Sequence, residues 1–399
     1  MTKLRILSVE VNGNTIPISA PELNTSGANF YTIIIGNNAS GKSRLLVSML
    51  NRLRQAKNLR LKSKSENVKL KLFYQGIEEI IDDNNHISSI SMDEINLMSI
   101  SNSLFDKFPH KAKSDRNYSY IGSRMSGIST HKRAIVNDLM DILSINLRDT
   151  NFVKKAKQLF SFLRLEPIIK ISLRFSFIAS RIRFDGLLEN VGSVQKLKEY
   201  LTDISRQGFY RQQSSVLERY TGDTVFLKGF QKYLKDNLKE FRDNSKREAQ
   251  YFEIDLNDSK KNETFIDEYI YFSLLRRLNI LTYDFIKLKK GNLEYDIQDS
   301  STGEIGLLIT FLRAIPEMKS NSIIFIDEPE ISLHPSWQMK YIDLLRSFIS
   351  GYSNCHVVIA THSHLLLSDL KEEWSSSQRI YLIFLLFRLI IPDTALQWR

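Results

Sequence analysis

Apolar residues in this chain occur either as short continuous blocks or at helical spacing. Ile33-Ile34-Ile35, preceded by Tyr31 and Thr32, is such a block, as are Ser322-Ile323-Ile324-Phe325-Ile326 and Val357-Val358-Ile359-Ala360. Runs of this kind, rich in β-branched residues, suit strands covered on both faces. Lys3 to Val11 alternates more loosely, and Asn12-Gly13-Asn14 reads as a hairpin turn into a returning strand, Thr15 to Ile18. Val68 to Tyr74 alternates apolar and basic residues, a half-exposed strand with its lysines outward. Tyr118 to Arg124 reads as a short core strand ending in a Gly-Ser loop, and Leu281–Lys289 with Leu293–Ile297 as a hairpin. From about His131 to Phe252 the spacing predicts mainly helices, among them Ala134–Leu143 and a stripe of Phe230, Leu234, Leu238 and Phe241. Helices are also expected over Ile305–Ile315, stopped by Pro316, and over Ser336–Ser350. The order predicts an α/β fold: one domain from residues 1–125 and 278–399, interrupted by a helical insertion over 126–277.

The stretch after the first apolar block changes this from a fold into a site. Gly36-Asn37-Asn38-Ala39-Ser40-Gly41-Lys42-Ser43 matches G-x-x-x-x-G-K-[ST] in full, between a strand and the helical run Arg44–Leu50. Gly36 and Gly41 let the backbone turn and approach a ligand, and the loop N–H groups converge on one anion. On this reading Gly36 through Ser43, with Arg44 at the helix start, bind ATP. Lys42 reaches the β and γ phosphates, and the Ser43 hydroxyl holds Mg²⁺.

Two later strand ends supply the remaining chemistry. Asp327 and Glu328 follow the second apolar block, where an open parallel sheet places its ligands. Asp327 is assigned to the metal, and Glu328 to general-base activation of water. His362 follows the third block and can donate to the γ-phosphate. Ser301-Thr302-Gly303-Glu304 opens a helix and suits either an anion or a plain cap. His334, before Pro335, reads as a turn residue.

Composition narrows the setting. One cysteine, Cys355, among 399 residues leaves no internal disulfide and fits a reducing cytoplasm. The longest apolar run, Ile380–Ile391, is twelve residues long and holds Arg388, so no membrane span is expected. The net charge of +10 is uneven: eight basic residues and one acid lie between Arg52 and Lys71, and seven against three between Lys228 and Arg247. Such clusters favour nucleic acid or another polyanion, and Arg52–Lys71 is the expected contact surface. The seven histidines show no H-N-H arrangement, and only 37 residues follow His362, so no nuclease is expected within the chain.

The order phosphate loop, Asp299-Ser300-Ser301-Thr302-Gly303-Glu304, Ile323–Pro335 and Ile359-Ala360-Thr361-His362-Ser363 resembles the ABC-type ATPase head. The first of the later segments looks like a degenerate signature loop, with Ser300 where Leu is usual. The others are close to stand-alone AAA-like ATPases similar to overcoming-lysogenization-defect proteins and Septu-type phage-defence ATPases, relatives of chromosome-maintenance and recombination-repair ATPases. The resemblance covers roughly residues 3–50 and 295–365. It implies a P-loop NTPase with an antiparallel β subdomain, dimerising head to tail (or as a higher homo-oligomer) around two ATP molecules. Ser301 and Gly303 would then touch the partner's γ-phosphate. It also implies a separate nuclease partner and a role in defence against phage.

The glutamine that usually follows the phosphate loop has no clear counterpart: Gln75 is poorly placed, and the loop after Ile121 holds Ser123 and Arg124. The tail from Ser375 reads as an edge strand or the stump of a longer protein. Other readings are a repair ATPase outside defence, the ATPase subunit of a transporter and a nucleotide-gated scaffold that does not hydrolyse.

Overall fold

Strands buried at every position must lie inside a sheet with cover on both faces, and three such strands organise this molecule. The computed structural model describes residues 4–19, 29–57, 68–82, 90–103, 106–110, 115, 117–122, 132–175, 178–206, 218, 220–237, 248–368 and 380–385. The chain forms two compact units, Met1–Leu139 with Ser301–Arg399, and Met140–Ser300.

The first unit opens with β1 (Leu4–Val11), β2 (Asn14–Pro17), β3 (Phe30–Gly36), α1 (Lys42–Lys57), β4 (Val68–Tyr74), β5 (Ile77–Ile81), β6 (Asn96–Ser101) and β7 (Tyr118–Gly122). Helix α2 (Lys132–Asn146) carries the chain into the second unit, made of α3 (Thr150–Phe162), β8 (Ile168–Phe175), α4 (Ile178–Asn190), α5 (Val194–Arg206), α6 (Thr224–Asp236), β9 (Glu248–Asp255), α7 (Ser259–Arg277), β10 (Leu281–Lys290) and β11 (Leu293–Asp296). The first unit resumes with α8 (Thr302–Ala314), β12 (Ser322–Asp327), α9 (Pro335–Ile349), β13 (His356–Thr361) and β14 (Ile380–Leu385).

In the first unit a parallel sheet of order β14-β3-β13-β12-β6-β7 accompanies an antiparallel sheet of order β2-β1-β4-β5. Leu45, Leu46, Met49, Leu50 and Leu53 of α1 are fully buried in one apolar cluster with residues of both sheets. Strand β14 pairs with β3 at the sheet edge, as the edge-strand reading of the tail expects; residues 386–399 lie outside the described residues. The predicted Asn12-Gly13 turn is present, with φ of 51° and 81°.

The inserted unit carries more than the mainly helical segment expected. It holds an antiparallel sheet of order β11-β10-β8-β9, in which β8 and β9 were not foreseen. Phe252 of β9 packs on Phe265 and Phe272 of α7, so this sheet has its own aromatic cover. On α6, Phe230 and Leu234 are buried as the stripe predicts, whereas Leu238 and Phe241 fall outside the described residues.

A buried histidine ties the two sheets of the first unit. His356 Nδ1 accepts from the Ile6 amide at 3.0 Å, and Nε2 donates to Thr32 Oγ1 at 2.9 Å, which donates to Ile18 O. This chain needs the neutral ring, and burial, helped by Arg5, pushes the His356 pKa down to about 3. The unfolded chain therefore takes up a proton near pH 6.5 that the folded one refuses until about pH 3. The stability this neutral histidine contributes is complete above pH 6.5 and is lost as pH falls below it, by up to ~1.4 kcal/mol per pH unit. His356→Gln, which cannot titrate, is expected to flatten that slope in urea midpoints measured from pH 7 to 4. Parallel curves for the two proteins would refute it.

Candidate nucleotide-binding site

The parallel register brings the sequence-predicted residues to one level. Ile35 of β3 pairs with Thr361 of β13, and Asp327 of β12 pairs with Ala360 of β13 and Ser101 of β6. The carboxyl ends of β3, β12 and β13 thus deliver the phosphate loop, Asp327-Glu328 and His362 side by side, at the ligand edge of an open sheet.

The loop between β3 and α1 turns through Ala39 at φ 62° and Gly41 at φ 98°. An alanine in the left-handed region is strained by roughly 1–2 kcal/mol, which the surrounding structure must hold. Lys42 is only 4% exposed, and its Nζ donates to the carbonyls of Gly36 at 2.7 Å and Asn37 at 2.9 Å. Burial lowers its pKa, opposed by the charges of Glu328, Asp327 and Glu330. Helix α1 starts here, so its first N–H groups have no intrahelical partner and face the loop with the positive end of the helix dipole.

Ser43 Oγ donates to Asp327 Oδ1 at 3.0 Å. Asp327 is itself buried, and its pKa is pushed up to about 7, first by desolvation and then by Glu328 and Glu330, against the Ser43 hydrogen bond and Lys42. Beside two further acids, this buried carboxyl is only partly compensated by Lys42. Among the described residues no group of three or more His, Cys, Asp or Glu side chains is arranged to chelate a metal. Asp327 and the Ser43 hydroxyl nevertheless fit a Mg²⁺ completed by phosphate oxygens and water, the way that ion is commonly held.

Beyond Asp327 the backbone reverses. Glu328 sits at φ 47°, held by its N–H on Ala360 O at 2.9 Å, and Ser332 at φ 62°. The reversal turns Glu330 inward, to 4% exposure. Glu330 Oε1 accepts from Thr361 Oγ1 at 2.6 Å and from the His362 amide at 2.8 Å, and lies 3.0 Å from His362 Nδ1. Glu328 Oε1 is 3.9 Å from the same nitrogen. Ser363 Oγ donates to Gln338 Oε1, and Gln338 Nε2 to Leu333 O, tying α9 to the same loops. Glu330, Thr361 and Gln338 are the residues that sequence reasoning missed.

Ser301 caps α8, its Oγ accepting from the Glu304 amide at 3.1 Å, and so realises the plain-cap reading within the chain. Gly303 is there for close approach: a Cβ would lie 2.2 Å from the Ser332 carbonyl oxygen. His334 caps α9 by accepting from the Ser336 amide, the turn role expected of it. Gln75 lies in the β4–β5 turn at φ 53° and donates to Glu94, which removes it as a phosphate-sensing glutamine. Ser123 and Arg124 lie outside the described residues. The strand end beside Asp327 leads instead to Asn102, whose Oδ1 accepts from Thr310 Oγ1 of α8 at 2.8 Å.

The expected contact surface at Arg52–Lys71 requires correction. Arg52 and Arg54 are buried, Arg54 pairs with Asp115 at 2.5 Å over the Tyr118 ring, and Lys57 donates to Ile95 O. Lys69 and Lys71 pair with Glu10 and Glu78. Arg52, Arg54 and Lys57 are committed to the fold, whereas Lys69 and Lys71 remain about half exposed; Arg60, Lys62 and Lys64 fall outside the described residues. In the second cluster, Lys228, Lys232 and Lys235 share the exposed face of α6.

A family model described as an AAA ATPase domain matches residues 14–367. Protein ea59 of Escherichia phage lambda is 29% identical over 85 residues, 21% of this chain and 16% of that protein, so the match spans a small part of either. Among solved structures, the Smc head domain bound to the C-terminal domain of ScpA, derived from Pyrococcus furiosus, is 14% identical, covers 92% of each chain and has a TM-score of 0.30. The recombination mediator protein RecF, also 14% identical, covers 91% of this chain and 94% of its own at a TM-score of 0.28. At these scores the two structures bear on neither activity nor partner. No helix among the described residues is long and apolar enough to cross a membrane.

Proposed function

We propose that this chain, which belongs to the AAA ATPase domain family and has an α/β P-loop fold, hydrolyses Mg²⁺-bound ATP at the edge formed by β3, β12 and β13. The observation that carries this is the convergence of Lys42, Ser43, Asp327, Glu328 and His362 at one level of the parallel sheet. The loop amides and Lys42 bind the phosphates, exchanging the Gly36 and Asn37 carbonyls for phosphate oxygens. Ser43 and Asp327 would hold the cation, which would neutralise charge on the β and γ phosphates. Glu328 takes the proton of the attacking water, and His362 donates to the γ-phosphate.

In the same proposal two chains close head to tail, with Ser301 and Gly303 presented to the partner's nucleotide, and the closed state acts on a separate nuclease in defence against phage. That last role stands on the motif resemblance. The exposed lysines of α6 are the nucleic-acid contact in this reading, replacing Arg52–Lys71.

ATP hydrolysis followed against protein concentration, with and without duplex DNA, tests the arrangement. A sandwich needs two chains per active site, so the rate per chain should rise with protein concentration and then level off, and DNA should stimulate it. Lys228→Glu/Lys232→Glu/Lys235→Glu should remove the stimulation and flatten its salt dependence. Rates linear in protein at every concentration would overturn head-to-tail closure, and full stimulation of the triple variant would overturn the α6 contact.

A further inference from the structure

We propose that Glu330 is a positioning residue for His362, and that by holding His362 it keeps Glu328 available as the base. This deepens the hydrolase reading and rests on it. Two carboxylates compete for one imidazole nitrogen: His362 Nδ1 is 3.0 Å from Glu330 Oε1 and 3.9 Å from Glu328 Oε1. The nearer oxygen lies within contact distance of the ring nitrogen; the farther one is beyond hydrogen-bond reach.

Glu330 is built for this task. Its carboxylate is buried, and one oxygen gathers the Thr361 hydroxyl, the His362 amide and His362 Nδ1. It thereby holds both the backbone and the ring of His362, whose side chain is 43% exposed and otherwise free to turn. The other oxygen, Oε2, is buried with no hydrogen-bond partner among the described residues, so the packing is arranged around Oε1. With Nδ1 facing Glu330 at 3.0 Å, Nε2 is the ring nitrogen turned away from it and available to phosphate. Were the ring to swing to Glu328 instead, the base would be tied to an imidazole and the attacking water would lose its acceptor.

Glu330→Gln keeps the shape and one acceptor but removes the charge. It is expected to lower kcat about 10-fold with KM for ATP within about 2-fold, because the nucleotide contacts remain. In a His362→Gln background the same change should have no further effect, since Glu330 acts through the ring. A residue that only staples β12 to β13 would lower activity by the same factor in both backgrounds, and that result would overturn the proposal. Independently of turnover, the full chain labelled with ¹⁵N-histidine should show the His362 ring-nitrogen signals, assigned by their loss in His362→Gln, altered by Glu330→Gln. Unchanged signals would overturn the positioning role even if ATP hydrolysis is confirmed, and altered signals would support it even if hydrolysis is absent. Should Glu330→Gln not fold, Glu330→Asp, which keeps the charge and shortens the reach, carries the same readouts with the same expected directions.

Discussion

Glu328→Gln should reduce ATP turnover by about 10²–10⁴-fold, the usual worth of a general base, while ATP still binds. The reason lies in how the residue is held. Glu328 follows β12 in the left-handed region at φ 47°, a conformation that costs a non-glycine residue on the order of 1–3 kcal/mol. Its amide is fixed to Ala360 O, so the strain is borne by the backbone of two neighbouring strands. Glutamine can occupy the same backbone and nearly the same volume, which leaves the phosphate loop, Lys42 and Asp327 undisturbed. What it loses is the ability to accept a proton. Single-turnover hydrolysis together with equilibrium dialysis of labelled ATP separates the two effects. Turnover within about 10-fold of wild type would place the base elsewhere. A parallel loss of ATP binding would mean that Glu328 supports the loop and not the water.

The parts legible in the sequence are those whose physics is local. Strands β3, β12 and β13 are buried at nearly every position, so their composition announces them, and the phosphate loop carries its spacing on its face. Strands β8 and β9 were hidden because each lies among helices and neither is a continuous apolar block; Ile168–Phe175 interleaves Lys170, Ser172 and Arg174 with its apolar residues. The pairing of β8 with β10 and with β9 is non-local and leaves no mark in either segment alone. The basic run at Arg52–Lys71 misled for a related reason. Charge density reads as a surface until the partners are known, and Asp115, Tyr118 and Ile95 are distant in sequence. Glu328 and Glu330 show the limit at the site itself. Alternation along an extended strand would put both on one face, but the turn at Glu328 separates them, one toward the nucleotide edge and one inward. The motif names two acids of one kind; the backbone gives them two roles.

The same burial that prepares Asp327 for a cation makes it a burden to the metal-free protein, and Asp327→Asn should expose this as a gain in stability bought with activity. In the folded chain the Asp327 pKa stands at about 7, against an ordinary value near 3.8. Between those two values the unfolded chain has released this proton and the folded chain retains it. Below pH 3.8 the group is neutral in both states and costs nothing. As pH rises toward 7 the folded state becomes progressively disfavoured, and above 7 the penalty is constant, at most about 4.5 kcal/mol at ~1.4 kcal/mol per unit over the shift. Asparagine is neutral at every pH and can still accept from Ser43. In EDTA, Asp327→Asn is therefore expected to unfold several degrees above wild type at pH 8 and at the same temperature at pH 4. His356 titrates identically in both proteins and cancels from the difference. With Mg²⁺ and ATP at pH 8 the order should reverse, since only wild type recovers the penalty by binding the cation. Turnover of the variant should fall at least about 100-fold. If Asp327→Asn is the less stable protein in EDTA at pH 8, the carboxylate is serving the fold, and the cation site must be built on another residue.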